Sequence, residues 1–235
     1  MFKTIRWHLY NVVFFLSKTG QYKKLKKYDE DGNIEERNKL AHETGYNWAR
    51  HLIEMTGSQV DIEGIENVPD EPCLFVSNHQ SLFDIPLLMG YIDKHKGFVA
   101  KKELRKVPML GAWMEYVNCV FLDRDNAREG LKAIKKAISN IKEGASMVIF
   151  PEGTRSLDGE IKEFKAGSIK IAEKAKVPVV PVRIRGTIDI QPKGKKLIRA
   201  SKIKLSIGQA MDLSTYEKED LKRIHEIVQE KVEAL

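Results

Sequence analysis

The stretch "CLFVSNHQSLFDIPLL" (73–88) contains the change of pattern on which the fold depends. Its first four residues form a short apolar run that is typical of a buried β-strand, and the polar residues Ser-Asn-His follow directly. Apolar residues then resume behind Asp84. A buried strand that ends in polar residues and leads into a helix is a building unit of α/β sheets.

The same alternation continues through most of the chain. We predict strands near 60–65, 73–78, 97–100, 119–123, 146–150, 179–184 and 202–207, and helices near 84–94, 108–116, 127–143, 168–176 and 215–235. Strands that alternate with helices predict an α/β fold with a central, largely parallel β-sheet flanked by helices. We place this main domain at residues 58–235.

Residues 1–57 have a different character and are predicted to form an N-terminal two-helix, membrane-associating unit. A spanning helix needs about 20 mostly apolar residues, but polar residues interrupt the first segment, which also lacks the features of a cleaved signal peptide. Its apolar residues fall on one helical side, as in helices that lie in the membrane interface: Phe2, Ile5, Leu9, Val12, Val13 and Leu16. The alternative is an amphipathic helix packed on its own domain.

The net charge of +7 is concentrated at the N-terminus. The basic residues that precede the first acidic residue, Asp29, account for the whole surplus: Lys3, Arg6, Lys18, Lys23, Lys24, Lys26 and Lys27. This location favours an anionic membrane surface over nucleic acid, for which no recognised binding module is present. The two cysteines, Cys73 and Cys119, lie in apolar runs and are expected to be buried, reduced thiols.

Polar residues follow three predicted strands. Ser77-Asn78-His79 comes after "CLFV", Asp123-Arg124 after "CVFL", and "PEGTRS" (151–156) after "SMVIF". In parallel sheets, ligands bind beyond the carboxyl ends of the strands. We therefore expect these residues to meet at one edge of the sheet.

His79 and Asp84 form a candidate base pair for proton transfer. A neutral imidazole can take a proton at cellular pH, and a carboxylate on its other ring nitrogen fixes the tautomer and stabilises the imidazolium. The sequence has no G-x-S-x-G motif and no Gly-rich nucleotide loop. Without a motif for a covalent nucleophile, direct attack by a substrate hydroxyl is the simpler scheme.

The segment "FPEGTRS" (150–156) has the residue types of an anion site. Gly153 lets the backbone approach a ligand, and Thr154 adds a hydroxyl donor. Arg155 can hold a phosphate through two donors, and Arg124 could supply a second guanidinium. A glycine turn with a surface arginine is the alternative interpretation.

Taken in order, these blocks resemble the 1-acylglycerol-3-phosphate acyltransferase (lysophosphatidic acid acyltransferase) family. "NHQSLFD" (78–84) is similar to the family's NHxxxxD block, and residues 101–124 are similar to its second block, with Leu122 where isoleucine is commoner. "FPEGTRS" (150–156), with "FKAGSIKIA" (164–172) behind it, resembles the third block, and "VPVVPV" (177–182) the fourth. The resemblance covers roughly residues 62–207.

The resemblance implies an enzyme that moves a fatty acyl group from a thioester, acyl-CoA or acyl carrier protein, to the sn-2 hydroxyl of lysophosphatidic acid. It implies His79 as general base and Asp84 as its support, without an acyl-enzyme, a metal or a cofactor other than the donor substrate. The residues implied to bind the glycerol phosphate are Arg124, Glu152, Gly153, Thr154, Arg155 and Lys101.

Several points stay open. The acceptor could instead be glycerol 3-phosphate or another lysophospholipid, and a non-enzymatic membrane-binding module is a further alternative. If both substrates are lipidic, the enzyme should work at the cytoplasmic face of the cell membrane, held there by its N-terminal helices. The sequence does not indicate an oligomeric state.

Overall fold

The computed structural model describes residues 2–107, 109–123, 126–156, 158–192 and 194–235. Over these residues the chain forms nine α-helices and seven β-strands, and the strands join in one sheet. The helices are α1 (Phe2–Ser17), α2 (Thr19–Glu30), α3 (Ile34–Glu54), α4 (Asp84–Tyr91), α5 (Leu110–Tyr116), α6 (Ala127–Lys142), α7 (Lys170–Ala175), α8 (Lys218–Lys222) and α9 (Ile224–Ala234). The strands are β1 (Gln59–Glu63), β2 (Leu74–Ser77), β3 (Lys96–Lys101), β4 (Val120–Leu122), β5 (Ser146–Ile149), β6 (Val179–Arg185) and β7 (Lys202–Ile207).

The strand order across the sheet is β1-β7-β6-β2-β5-β3-β4. Among the described strands, every pair is parallel except β6 with β7. The predicted α/β class with a largely parallel sheet and flanking helices is confirmed. Because β2 to β6 all point the same way, their carboxyl ends lie along one edge of the sheet.

Helices cover both faces of the sheet, as a mostly parallel sheet requires. Successive side chains of a strand point to opposite faces, and the fully buried β2 demonstrates this division. Phe75 belongs to the core cluster that contains Leu87 of α4 and Trp113 of α5. Leu74 and Val76 belong to the second cluster, with α6, α7 and α9.

The N-terminal region contains three helices in the structure, where two were predicted. The first predicted segment is divided at Lys18 into α1 and α2, which are joined almost directly. α3 begins at Ile34, and its residues Ala41, Ala49 and Ile53 share a buried cluster with Leu87. α3 therefore packs in the core beside the main sheet, and α1 packs against α3.

α1 has two apolar faces with different surroundings. On one face, the indole Nε1 of Trp7 donates to the carbonyl of Leu52 at 3.2 Å, and Trp48 Nε1 donates to Asn11 Oδ1 at 3.2 Å. The other face is exposed by 53–78% and consists of Phe2, Ile5, Leu9, Val12, Val13 and Leu16. Within the described ranges, no helix is long and apolar enough to cross a membrane.

The C-terminal helix was predicted to run continuously over 215–235, but it is divided. α8 ends at Lys222 and α9 begins at Ile224, because Arg223 has a φ of −112° and leaves the helical region. The buried side of α9 is apolar and consists of Ile224, Val228 and Val232. This helix packs on the second core cluster and closes the sheet face behind β6.

Cys73 is buried, as predicted, whereas Cys119 is only partly buried. Both are free, and burial raises the pKa of Cys73 to about 11 and that of Cys119 to about 12. Thiols with such pKa values stay protonated at neutral pH and are poor nucleophiles.

Candidate active site

His79 and Asp84 form the hydrogen-bonded pair that the sequence predicted. His79 follows the end of β2, and Asp84 is the first residue of α4. The ring Nδ1 of His79 lies 2.7 Å from Asp84 Oδ2, and the side chain of Asp84 is fully buried while that of His79 is 14% exposed. The short turn between the strand and the helix therefore brings the two side chains into direct contact.

The surroundings of Asp84 define which nitrogen of His79 carries the proton. Asp84 Oδ2 accepts the backbone N–H groups of Gln80 at 2.6 Å and Ser81 at 2.8 Å, and the hydroxyl of Thr187 donates to Oδ1. An ionised carboxylate can only accept hydrogen bonds, so Nδ1 of His79 must be the donor. The other ring nitrogen, Nε2, keeps its lone pair and can take a proton.

The backbone around His79 is fixed on both sides. The Asn78 amide bonds both backbone groups of Ile184 in β6, with Nδ2 2.9 Å from the carbonyl oxygen and Oδ1 2.8 Å from the nitrogen. The N–H of His79 donates to Glu152 Oε1 at 2.8 Å, and its carbonyl accepts the N–H of Ser156 at 2.7 Å. These bonds tie the end of β2 to β6 and to the segment that follows β5.

Glu152 holds two backbone segments together. Its Oε1 accepts from His79, and its Oε2 accepts the N–H of Lys162 at 3.3 Å. Burial raises the pKa of Glu152, and these two backbone donors act in the opposite direction. Both oxygens are occupied by backbone groups, an arrangement suited to positioning His79. The sequence analysis assigned Glu152 to the glycerol phosphate, and that assignment stays a prediction.

His79 lines a cleft of about 940 Å³ at the carboxyl edge of the sheet. The lining of the cleft includes three basic residues and two residues of a glycine turn: Lys101, Arg155 and Lys165, with Gly153 and Thr154. Four of these five residues were predicted from the sequence; Lys165 was not. A cleft with a cluster of cations beside a base is suited to an anionic substrate that carries a hydroxyl group.

The Gly153 turn brings Lys165 into this cluster. Gly153 has a φ of +72°, which favours glycine, and a Cβ at this position would lie 2.8 Å from Lys165 Nζ. Lys165 is anchored through its own N–H, which donates to the carbonyl of Pro151 at 3.2 Å. The lysine side chain thus crosses the glycine turn next to Arg155.

The remaining walls of the cleft are mostly apolar. α1 and α3 contribute the aromatic residues Trp7, Phe14, Phe15 and Trp48. β3, α5 and the connection between them contribute Phe98, Leu104, Val107, Leu110, Trp113 and Met114. Two of the lining residues, Leu82 and Val107, are 57% and 41% exposed. One cleft therefore joins a cationic region, a candidate base and a long apolar surface.

Arg124, the remaining predicted phosphate ligand, lies outside the described residues. Its neighbour Asp123 lines the cleft and pairs with Lys102 at 2.6 Å. Lys101 lines the cleft at the end of β3, whereas Lys102 begins the 3₁₀ turn Lys102–Lys106.

Sequence reasoning missed Asn78, Phe150, Lys165 and Thr187 as parts of the site. Asn78 and Phe150 are part of the quoted motifs, and Lys165 is part of "FKAGSIKIA". Their positions in these motifs could therefore have identified them as candidate site residues. Thr187 lies 103 positions from Asp84 and only the fold brings it close.

Comparisons with known proteins identify a matching family model and a solved structure with a similar fold. The Acyltransferase family model matches residues 59–185. The crystal structure of the 1-acyl-sn-glycerophosphate (LPA) acyltransferase PlsC from Thermotoga maritima has a TM-score of 0.83 and 33% identity, and the match covers 99% of this chain and 94% of that chain.

Two curated relatives are also similar to the chain. The chloroplastic 1-acyl-sn-glycerol-3-phosphate acyltransferase BAT2 of Brassica napus is 41% identical over 140 residues, which are 59% of this chain and 40% of that protein. The 1-acyl-sn-glycerol-3-phosphate acyltransferase of Cocos nucifera is 32% identical over 196 residues, or 83% and 62% of the two chains. The chain thus spans less than two thirds of either relative. Since the family model matches more than half of the chain, and the Thermotoga maritima structure nearly all of it, the chain belongs to the Acyltransferase family.

Proposed function

We propose that this chain is an enzyme that transfers a fatty acyl group from a thioester to the sn-2 hydroxyl of 1-acyl-sn-glycerol 3-phosphate, giving phosphatidic acid. The observation that carries the proposal is the His79–Asp84 pair, 2.7 Å apart, on the wall of a cleft that Arg155 and Lys165 also line. The names of the relatives agree with this activity.

The chemistry follows from the free nitrogen of His79. Nε2 takes the proton of the sn-2 hydroxyl while that oxygen attacks the carbonyl carbon of the thioester. The tetrahedral intermediate collapses, the C–S bond breaks, and the sulfur leaves with the proton that His79 returns. Asp84 stabilises the imidazolium between these two steps. Because the hydroxyl attacks the thioester directly, the proposed scheme requires no acyl-enzyme and no cofactor other than the acyl donor.

The cationic part of the cleft is proposed to bind the phosphate of the acceptor. Lys101, Arg155 and Lys165 have no carboxylate within ion-pair distance among the described residues, in contrast to Lys102. Cations left unpaired in one concave surface attract an anionic ligand strongly. Arg155 can bind two phosphate oxygens at once, and Thr154 and Arg124 are proposed to complete the site.

The apolar walls are proposed to accept acyl chains. Aliphatic and aromatic side chains gain about 25 cal/mol for each Å² of apolar surface that a bound chain removes from water. The exposed face of α1 and the lysines of α2 are proposed to hold the protein on an anionic membrane, at its cytoplasmic face. Trp7 and Phe15 of α1 line the cleft from its docked face, so membrane binding would place the cleft next to its lipid substrates.

The test uses the purified full-length chain with long-chain acyl-CoA or acyl-acyl carrier protein as donor. Acceptors are lysophosphatidic acid, glycerol 3-phosphate and lysophosphatidylcholine. We expect release of one thiol for each phosphatidic acid formed, and the fastest reaction with lysophosphatidic acid. Equal or faster use of another acceptor would redirect the assignment to that acceptor, and no transfer to any acceptor would contradict the enzymatic function.

His79→Ala and Asp84→Asn are the variants that test the mechanism. General-base catalysis contributes about a hundredfold to ten-thousandfold, and we expect kcat to fall by this factor in both. His51→Ala is a matched control, because His51 is half exposed on α3 and its ring lies 3.8 Å from Glu54. Normal turnover by folded His79→Ala would contradict the mechanism.

A further inference from the structure

Thr187 contacts the oxygen of Asp84 that faces away from His79. Asp84 Oδ2 is shared by Nδ1 of His79 and the backbone N–H groups of Gln80 and Ser81. The hydroxyl of Thr187 is the donor that the described residues provide to Oδ1. Thr187 and Asp84 are both fully buried. The two carboxylate oxygens therefore depend on different parts of the chain.

The three donors to Oδ2 are local, whereas Thr187 comes from the far end of β6. Gly186, with a φ of +86°, turns the chain after β6, and a Cβ there would lie 2.1 Å from the carbonyl oxygen of Lys202. The 3₁₀ turn Thr187–Asp189 follows immediately. Only glycine fits this close approach between backbones. The turn directs Thr187 back over the carboxyl end of β2.

The position of Thr187 is fixed relative to His79. β6 pairs with β2, with Val182 opposite Ser77. Beyond the last pair, the side chain of Asn78 bonds both backbone groups of Ile184. The sheet therefore continues past the end of β2 through a side chain, and it reaches Thr187 three residues later. This rigid connection makes Thr187 a suitable external support for Asp84.

Three donors hold Asp84 Oδ2, and the hydroxyl of Thr187 holds Oδ1. Rotation about the Cβ–Cγ bond displaces both oxygens, so Thr187 adds a second point of attachment that keeps Oδ2 directed at His79 Nδ1. It also satisfies a buried charged oxygen. Without the hydroxyl, Oδ1 would be buried without a partner, and the carboxylate would turn or recruit water.

We infer that Thr187 is a positioning residue for acyl transfer: its hydroxyl holds Asp84 in the orientation that keeps the proton on Nδ1 of His79 and leaves Nε2 free to act as base. This inference rests on the proposed function. The segment that follows "VPVVPV" (177–182) then also has a role in the site, because it places Thr187 next to Asp84.

The kinetic test compares Thr187→Val, Thr187→Ser and a matched control, Thr56→Val. Thr56 is also fully buried, and its hydroxyl donates to the carbonyl of Ile53 and lies within hydrogen-bond distance of Ser58 Oγ, both at 2.6 Å, away from His79. For Thr187→Val we expect kcat to fall by about tenfold to a hundredfold, the factor that such a bond represents. KM for both substrates should be unchanged, and Thr187→Ser should restore most of kcat.

A structural role alone would give a different result. It would make Thr187→Val and Thr56→Val lose activity in parallel with their folded fraction, measured by circular dichroism at the assay temperature. Wild-type kcat in folded Thr187→Val, or a Thr187→Ser variant as slow as Thr187→Val, would overturn the inference.

A second measurement does not depend on turnover. The Nδ1–H proton of His79 should give a downfield NMR signal in the resting protein, which Asp84→Asn should abolish. We expect Thr187→Val to shift or broaden this signal and Thr56→Val to leave it unchanged. An unchanged signal in Thr187→Val would overturn the inference even if acyl transfer were absent, whereas absent transfer with a shifted signal would contradict only the proposed function.

Discussion

The imidazole of His79 lies flat against the ring of Phe150, with ring centroids 4.0 Å apart and planes inclined by 17°. Phe150 is the residue between β5 and the Gly153 turn, and it lines the same cleft as His79. Asp84 restrains the ring of His79 at Nδ1, and Phe150 restrains it across its face. The two contacts together define the direction in which Nε2 points.

We predict that Phe150→Leu lowers kcat by about tenfold while leaving the fold intact. Leucine retains the apolar volume, but it loses the flat surface and the attraction between an aromatic face and the imidazolium, which is about 0.5–2 kcal/mol. Phe150→Tyr retains the ring and serves as control. Steady-state kinetics with both variants test the prediction, and equal kcat values for Phe150→Leu and wild type would contradict it.

The cations that line the cleft are expected to determine KM for the acceptor. We expect Arg155→Gln and Lys165→Gln each to raise KM for lysophosphatidic acid by about threefold to tenfold, since each removes one charge from the phosphate site at a loss of roughly 1 kcal/mol. KM for the thioester should be unchanged. Lys170→Gln removes an equivalent charge from α7, which does not line the cleft among its described residues. An acceptor KM that Lys165→Gln leaves at the wild-type value would place Lys165 outside the phosphate site.

The parts of this site that could be predicted are those coded by short stretches. His79 and Asp84 are five positions apart, and Gly153, Thr154 and Arg155 are consecutive, so local pattern and strand ends were sufficient. Thr187 reaches Asp84 from 103 positions away, and Asn78 reaches Ile184 from 106. Such pairings depend on β2 lying beside β6, and the order of strands in a sheet is not readable from periodicity.

The helix boundaries that were missed have similar causes. The break at Lys18 has no proline beside it, and Gly20, two residues later, is an isolated glycine of a kind that helices tolerate, so the sequence did not predict the break. The residue types of α1 also do not distinguish its buried face from its exposed face. Trp7, Phe14 and Phe15 are as suited to a membrane interface as Val12 and Leu16. In the structure, Trp7, Phe14 and Phe15 pack against α3 and its neighbours, whereas Val12 and Leu16 are exposed.

The exposed face of α1 makes a prediction about membrane binding. We expect Ile5→Asp with Val12→Asp to abolish flotation with anionic vesicles, because these side chains are 57% and 58% exposed and a carboxylate is costly in the membrane interface. Leu131→Asp is the matched control, since Leu131 is an apolar residue of α6 that is 48% exposed. Flotation of the double variant at the wild-type level would contradict membrane attachment through this face.

At the opposite edge of the sheet, Lys96 is expected to make the free energy of unfolding depend on pH. Lys96 begins β3, its side chain is almost fully buried, and Nζ donates to the carbonyls of Ile92 at 2.5 Å and Lys94 at 2.9 Å. Burial lowers the pKa of Lys96 to about 7, which the charge of Asp93 only partly opposes. The charged form is thus destabilised in the folded state, whereas an unfolded lysine keeps its proton up to about pH 10.4.

The sign of the effect follows from proton counting. Above about pH 7 the folded protein has released the Lys96 proton and the unfolded chain still holds it, so the free energy of unfolding rises with pH, by up to about 1.4 kcal/mol per pH unit. Lys96→Met removes this contribution. The stability of the variant relative to wild type should therefore fall steadily between about pH 7 and pH 9. Urea unfolding at several pH values measures this difference.

Lys94→Met provides the control for lost hydrogen bonds. Nζ of Lys94 also donates to two carbonyls, those of Pro69 at 2.7 Å and Asp70 at 2.8 Å, but its side chain is only half-buried. The loss of two such bonds lowers stability by a similar amount at every pH, whereas the buried ammonium alone adds a slope. A constant difference between wild type and Lys96→Met over this range would show that Lys96 stays charged in the folded protein, and that the two carbonyls compensate for its burial.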